Sequence, residues 1–213
     1  MTALAFEVLD ARPEPHAAVP TIMLRMRISE TTGAPVHAVA LRCQIRIEPQ
    51  RRHYTPDEES RLYELFGETP RWGDSLHPFL WTHIATTVTG FTGAIDIDLP
   101  IACSYDFEVA AAKYLHSLDD GEIPLVLLFA GTVFTKGQSG FAAEPVAWDL
   151  EAPFRLPVSV WRGAMDLYFP NRGWMRVSRD TLDALQRFKS ARALPTWDHA
   201  FEQLLKQAGE ENV

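Results

Sequence analysis

Two segments near the N-terminus alternate residue by residue between apolar and mostly polar side chains, and this alternation constrains the fold more than any other feature. A period of two residues is typical of a strand with one buried face and one solvated face. The segments span residues 22–29 and 39–47, with Ile22, Leu24, Met26, Ile28, Val39, Leu41, Cys43, Ile45 and Ile47 as the apolar positions. Residues 31–35 between them have turn-type composition, so the sequence predicts an antiparallel hairpin.

The rest of the pattern predicts further strands up to residue 156 and helices after it. Strand-like runs cover residues 83–88, 95–99, 125–135 and 141–148. A helix interrupts them at residues 56–66, where Thr55 and Glu58 form a capping box. Beyond residue 156, apolar residues recur at helical spacing in three segments that begin near residues 157, 178 and 197.

Strands followed by helices predict an α+β protein. We expect an antiparallel β-rich N-terminal part, folded as a sandwich or a strongly curved sheet, with amphipathic C-terminal helices packed on it. Since no Gly/Ser-rich linker divides the chain, the sequence predicts one domain over residues 1–213. Residues 1–156 are mainly β in this prediction, and residues 157–213 are mainly α.

Composition argues against several classes of protein. The formal net charge is -8, whereas nucleic-acid binding depends on Lys and Arg, so no nucleic-acid partner is expected. Two cysteines are too few for a disulfide framework. The N-terminus lacks a signal-peptide pattern, and the longest apolar run, residues 123–130, is far shorter than the roughly 20 residues of a spanning helix. We therefore predict a cytoplasmic protein without membrane contact, and its oligomeric state stays open.

No motif in the sequence predicts catalysis, a metal site or a cofactor. The seven histidines form no H-x-x-x-H or H-E-x-x-H arrangement, and no C-x-x-C, G-x-S-x-G, P-loop or G-x-G-x-x-G motif is present. Cys43 lies on the apolar face of its strand and is expected to be buried. Cys103, near a strand end, is expected to be more exposed, but its neighbours Ser104, Tyr105 and Asp106 would not lower its pKa.

A set of arginines is the first candidate for protein binding. Arg25 and Arg27 lie on the polar face of the first strand, and Arg42 and Arg46 lie on that of the second, so a hairpin would place all four on one sheet face. Residues 51–53, Arg-Arg-His, extend the set. Two interpretations remain open: neutralisation by nearby carboxylates, or binding of an acidic protein segment, with RNA a remoter choice. The candidate carboxylates are Glu30, Glu48, Asp96 and Asp98.

An aromatic segment over residues 71–81 is the second candidate. It contains Trp72, Phe79 and Trp81, which either tuck under the sheet or present anchors to a partner. Trp174, in a turn between two predicted helices, raises the same question.

The chain resembles an uncharacterised bacterial family of unknown function. The residues that carry the resemblance are Phe6-Glu7-Val8, residues 41–50 (LRCQIRIEPQ), residues 79–82 (FLWT), residues 105–109 (YDFEV) with Tyr114-Leu115, and residues 194–197 (LPTW). The resemblance covers nearly the whole chain. It implies genes beside those of nickel–iron hydrogenases in high-GC Gram-positive bacteria, and hence an accessory or assembly role, but it supplies no catalytic residue.

A weaker, fold-level resemblance is to the bacterial export chaperone family. It rests on Leu156-Pro157 before a helix, Phe169-Pro170 after it, and Leu182 and Leu185 in a later helix. The inserted helix and the aromatic segment depart from that family's pattern, and a shared fold implies no function.

These observations favour a non-enzymatic accessory protein that binds another protein, with a nickel–iron hydrogenase subunit or maturation factor as the partner that the resemblance implies. One alternative is an enzyme whose site is assembled from dispersed residues such as His77, His83, Cys103 and Asp106. Another is a structural subunit of a larger complex, whose Trp-rich surfaces are permanently covered.

Overall fold

The computed structural model describes residues 3–103, 109–137, 140–170 and 175–210, and these form eight strands, six helices and two 3₁₀ turns. The strands are β1 (Leu4–Pro13), β2 (Thr21–Glu30), β3 (Val36–Ile47), β4 (Phe79–Phe91), β5 (Ala94–Ala102), β6 (Glu122–Gly137), β7 (Gly140–Pro145) and β8 (Glu151–Pro157). The helices are α1 (Pro56–Phe66), α2 (Trp72–Ser75), α3 (Ala110–His116), α4 (Val158–Tyr168), α5 (Arg179–Ala191) and α6 (Trp197–Ala208), and the 3₁₀ turns are Pro49–Arg51 and Thr69–Arg71. The predicted α+β class and the inserted helix at residues 56–66 are confirmed.

The strands form two antiparallel sheets that share one hydrophobic core. One sheet has the order β1-β2-β5, and the other has the order β4-β3-β6-β7, with β8 also paired to β6. The inward residues of both sheets belong to the same buried cluster. Phe6 of β1 stacks on Phe129 of β6 with 4.0 Å between ring centroids, which joins the two sheets directly. The architecture is therefore a β-sandwich.

The predicted hairpin between residues 22–29 and 39–47 is wrong. β2 pairs with β1 and β5, whereas β3 pairs with β4 and β6, so residues 31–35 carry the chain from one sheet to the other. The carboxylate of Glu30 secures this crossover by accepting the backbone N–H groups of Thr32 and Ala34 at 3.1 and 2.9 Å. Period-two alternation identifies the buried face of a strand, but it does not identify the neighbouring strand.

A buried ion pair fastens α1 to the end of the sandwich. Glu58 is 2% exposed and Arg52 is 9% exposed at their side chains, and Arg52 Nη2 lies 2.8 Å from Glu58 Oε1. Arg52 also donates to the carbonyls of His53, Asp120 and Glu122. Glu58 completes the capping box with Thr55, as predicted, and also accepts the backbone N–H of Asp119 at 2.9 Å. The pair thus connects the turn after β3 and the start of α1 to residues 119–122, which lie 61 to 70 positions further along the chain.

Helix α4 covers one part of the sandwich and confirms one of the predicted amphipathic C-terminal helices. Val158, Trp161, Ala164 and Met165 are buried and belong to the core cluster. Their spacing is the helical one, because residues three and four apart share a face.

The chain separates into two compact units, residues 1–173 and residues 174–213. The second unit contains α5 and α6, whose N-caps Ser178 and Thr196 accept backbone N–H groups. Lys189 of α5 lies 5.8 Å from the ring centroid of Trp197 in α6, so the two helices contact each other. That the whole chain is a single domain stays a prediction. Within the described residues, every helix is too short or too polar to cross a bilayer.

Replacing Glu58 with glutamine (Glu58→Gln) tests the buried ion pair. The substitution leaves the buried guanidinium of Arg52 without a counter-charge, so we expect the free energy of unfolding to fall by about 3–5 kcal/mol. Urea denaturation measures it. Glu64→Gln is the matched control on the same helix, because Glu64 is 75% exposed in its 2.7 Å pair with Lys113 and its loss should cost less than about 1 kcal/mol. Equal losses in the two variants would contradict the assignment.

Candidate functional site

Arg25 and Arg27 lie on the outer face of the three-stranded sheet and share one carboxylate. Arg27 Nε donates to Asp96 Oδ1 at 2.8 Å, and Arg25 Nη2 donates to Asp96 Oδ2 at 3.3 Å. The hydrogen bond from Arg27 is the main reason that the pKa of Asp96 is lowered from its ordinary value. Asp96, which β5 places directly beside β2, is thus the shared ion-pair partner of both arginines and offsets one of their two charges.

The other three predicted carboxylates have different partners. Asp98 pairs with Arg12 at 3.1 Å, and Glu48 pairs with Arg51 at 2.8 Å. Glu30 is occupied by the crossover described above. Its pKa is lowered, first by the hydrogen bond from the Thr32 hydroxyl.

Arg42 and Arg46 lie on the outer face of the five-stranded sheet, separated from the first pair by the core. Across the described chain, no carboxylate lies within 4.0 Å of either guanidinium. The exposed His83 stands on the same face, opposite Gln44 and diagonal to both arginines. We call Arg42, Arg46 and His83 the basic surface.

Small and apolar side chains flank the basic surface. Arg42 has Ala85 and Ala130 as its neighbours on the adjacent strands, and Arg46 has Leu80 and Val126. Leu80 is 46% exposed. Arg42 is exposed and its two paired neighbours are alanines, so its side chain is accessible to a partner.

A depression of about 310 Å³ lies one row beyond Arg46 on this face. In the strand register, Arg46 pairs with Val126, and Val126 pairs with Pro153, which lines the depression. One row further along the sheet, Pro124 pairs with Arg155, and both of these residues also line it. Its lining residues are Glu48, Arg51, Pro124, Leu125, Pro153, Phe154 and Arg155. Sequence reasoning missed this feature, because β8 was not identified as a strand beside β6.

The aromatic candidates are packed against the core. Trp72 is 9% exposed and donates its Nε1–H to the Gly67 carbonyl at 3.0 Å, while its ring lies 5.2 Å from that of Tyr54. Phe79 and Trp81 belong to β4 instead of a loop, and both pack on the core cluster. Trp72 is therefore buried, whereas Phe79 and Trp81 are half-buried, and a role of these three residues in protein binding stays a prediction. Trp174 lies outside the described residues.

The described residues of the dispersed enzyme site differ in burial, and the enzyme alternative stays a prediction. Cys103 is 7% exposed, which makes its predicted exposure wrong, and its thiol points into the core region with its Sγ 3.6 Å from the Ile101 carbonyl. His83 is exposed on the outer face of the five-stranded sheet, and His77 is exposed just before β4. Asp106 is not among the described residues.

A cavity of about 70 Å³ adjoins Cys103, with Trp81 and Trp161 among its walls and neither histidine. This volume matches about two water molecules. The described part of the chain contains no group of three His, Cys, Asp or Glu side chains that would hold a metal ion.

Comparison with models of protein families gives a match over the whole chain. One family model matches residues 1–213. The chain belongs to the family of unknown function DUF6084. Membership in DUF6084 confirms the predicted resemblance to an uncharacterised family, while the neighbouring hydrogenase genes stay a prediction. No curated protein matches the sequence.

Solved structures resemble the chain only distantly. The CARDB domain of a Pyrococcus furiosus protein, solved with di-metal ions, has 7% identity over 73% of this chain and 92% of that one, with a TM-score of 0.29. A β-glucosidase from Kluyveromyces marxianus has 7% identity over 73% of this chain and 15% of that one, with a TM-score of 0.26. Similarity at this level carries no argument about function.

Both cysteines are expected to resist thiol reagents in the folded protein. Burial raises the pKa of Cys43 and of Cys103 to about 12, so almost no thiolate forms near neutral pH. We expect Ellman's reagent at pH 8 to react at least about a hundredfold more slowly with the native chain than with the chain unfolded in guanidinium. Rapid modification of Cys103 in the native protein would favour the enzyme interpretation.

His116 is expected to make the fold sensitive to acid. Its ring lies 4.6 Å from that of Trp161, and burial, assisted by the charge of Arg162, lowers its pKa from 6.5 to about 4. Between these values the unfolded chain binds a proton that the folded chain does not, so the free energy of unfolding falls as the pH falls.

The expected loss between pH 7 and pH 4.5 is on the order of 2 kcal/mol from this group. Urea denaturation at the two pH values measures it, with His116→Gln as the comparison. The variant should lose less stability on acidification than the wild type, and an identical loss would contradict the assignment.

Proposed function

We propose that this protein is a non-enzymatic accessory protein that binds an acidic segment of another protein on the basic surface of its five-stranded sheet. The observation that carries the proposal is the difference between the two arginine pairs. Arg25 and Arg27 share an ion pair with Asp96, whereas Arg42 and Arg46 have no carboxylate partner among the described residues.

The physical chemistry of an open guanidinium supports this choice. Arginine presents a planar fork of donors that matches a carboxylate, and such charge-assisted bonds are among the stronger polar contacts in proteins. The flanking Leu80 and the nearby depression supply apolar area for the rest of a bound segment. The chain carries a net charge of -8, so a specific local surface has to outweigh the repulsion of an acidic partner, and binding should weaken with salt.

A nickel–iron hydrogenase subunit or maturation factor is the first partner to test. This choice is supported by the resemblance described from the sequence and by the accessory role that it implies. A cytoplasmic location, the resemblance to export chaperones, and the role of a permanent structural subunit stay predictions.

Partner capture with two matched double variants tests the proposed function. Arg42→Gln with Arg46→Gln removes the two arginines that have no carboxylate partner among the described residues. Arg25→Gln with Arg27→Gln removes the two arginines that share Asp96. Both lower the formal net charge from -8 by the same two units, so non-specific electrostatics are equal. Tagged proteins are purified from the native host in mild salt, and hydrogenase components are quantified by mass spectrometry against an untagged control.

We expect the wild type and the Arg25/Arg27 variant to retain the partner. Recovery with the Arg42/Arg46 variant should fall at least about tenfold, because the partner's carboxylates lose their counter-charges. Equal recovery by both variants, or no partner enriched over the control, would overturn the proposal. A monomer without a partner would favour the enzyme alternative.

A further inference from the structure

Strand β4 forms one edge of the five-stranded sheet. It extends over 13 residues, Phe79–Phe91, and among the described strands it pairs only with β3. One side of its backbone therefore presents N–H and C=O groups that no described strand uses. Such an edge is a template for a further strand.

The other edge strands carry the devices that proteins use to block strand addition. These devices are charged side chains, proline, bulges and short length. β1 has Glu7, Asp10, Arg12, Pro13 and a register shift after Val8; β5 has Asp96, Asp98 and Pro100; the six-residue β7 has Glu144 and Pro145; β8 has Glu151, Pro153, Arg155 and Pro157.

β4 lacks nearly all of these devices. It contains no Asp, Glu, Lys, Arg or Pro, and His83 is its only titratable residue. Its pairing with β3 shifts register once, near the start of β4, opposite Ile45 and Arg46. Residues 82–91 then pair regularly with β3, except that no partner is assigned to His37 of β3. Among the described residues, the segment from Thr82 to Phe91 is thus an edge without formal charge and without a neighbouring strand, and only its first residue, Thr82, lines the cavity beside Cys103.

The two faces beside this edge differ in chemistry. On the outer face, Ala85 is the only side chain between Arg42 and the edge in its row, so the long Arg42 side chain can reach across it. On the inner face, Ile84 and Thr86 lie opposite the buried Cys43 and Leu41. A strand added about 4.8 Å beyond β4 would therefore meet positive charge on one face and apolar groups on the other.

We propose that β4 accepts an extended segment of a partner protein as an additional strand along residues 82–91, and that this segment alternates acidic and apolar residues. Its carboxylates face Arg42 and His83, and its apolar side chains extend the core past Ile84 and Thr86. Main-chain hydrogen bonds supply affinity, and the alternating side chains supply specificity. This inference rests on the proposed function and names its mode of recognition.

Charge complementarity favours this occupant over a second copy of the chain. A second β4 would bring a histidine and no carboxylate to Arg42. An acidic segment supplies the counter-charge that Arg42 lacks among the described residues.

A lysine placed on either face of β4 tests the proposal. Thr86→Lys points inward, opposite Leu41, so an added strand would bury its ammonium group. Thr87→Lys is the matched control, since it adds the same charge one residue away on the exposed outer face, opposite Ala40. Both variants leave Arg42 and Arg46 in place.

The probe is a capped, fluorescein-labelled peptide of alternating glutamate and valine, about ten residues long to match the regular part of β4. Fluorescence polarisation measures its binding to the full chain. We expect Thr86→Lys to weaken binding at least about tenfold, and Thr87→Lys to change it less than about threefold or to tighten it. A peptide of alternating lysine and valine should not bind.

Hydrogen exchange of the wild type with and without the acidic peptide gives a second readout that does not depend on the variants. Amides in residues 82–91 should become protected when the peptide binds. No binding of the acidic peptide, unchanged protection of β4, or wild-type affinity in Thr86→Lys would overturn the proposal. A wild-type dimer that Thr86→Lys dissociates would also overturn it, because a second copy then occupies the edge.

The two proposals fail in distinguishable ways. If the Arg42/Arg46 variant loses the cellular partner while Thr86→Lys retains it, the basic surface binds the partner without strand addition. If both variants retain it, the proposed function fails as well.

Discussion

The buried pair of Arg52 and Glu58 is the contact on which one end of the sandwich depends. Moving two charges out of water costs several kcal/mol for each ion, and attraction alone offsets this only with good geometry and further hydrogen bonds. Here the remaining donors of Arg52 reach backbone carbonyls, and Glu58 receives backbone N–H groups. The pair joins the turn after β3, the start of α1 and the turn before β6, and it thereby positions the aromatic side chains between these segments. Tyr54 and Tyr114 illustrate this, with their hydroxyl oxygens 2.8 Å apart.

The crossover between β2 and β3 determines the electrostatic character of the two outer faces. Because the chain changes sheets after Glu30, Arg25 and Arg27 receive β5 as a neighbour, and β5 brings Asp96. Arg42 and Arg46 receive β4 and β6 as neighbours, and neither strand brings a carboxylate beside them. The two arginine pairs therefore end in different states, because one pair shares a carboxylate and the other has none among the described residues. The open pair lies beside the edge strand that lacks charged residues and proline, so an exposed charge and an available backbone occur together.

The sequence by itself determined the local elements. Alternation over residues 22–29 and 39–47 predicted two strands whose inward residues are indeed buried, and the Thr55–Glu58 capping box located α1, because these patterns depend on residues within one strand or one helical turn. The burial of Cys43 followed from the same alternation, which places it on the apolar face of its strand. The four arginines were also identified from the sequence as the residues of interest.

Only the tertiary structure decided which strands are neighbours and hence which charges meet. Asp96 and Arg25 are 71 positions apart, and the pattern around each residue contains no information about the other. Arg52 likewise has partners that are distant in the sequence, because the carbonyls of Asp120 and Glu122 lie 68 and 70 positions away, although its counter-charge Glu58 is only six positions away. Strand periodicity depends on local geometry, whereas sheet order depends on how the whole chain buries its apolar faces, so the face proposed for binding emerged only from the fold.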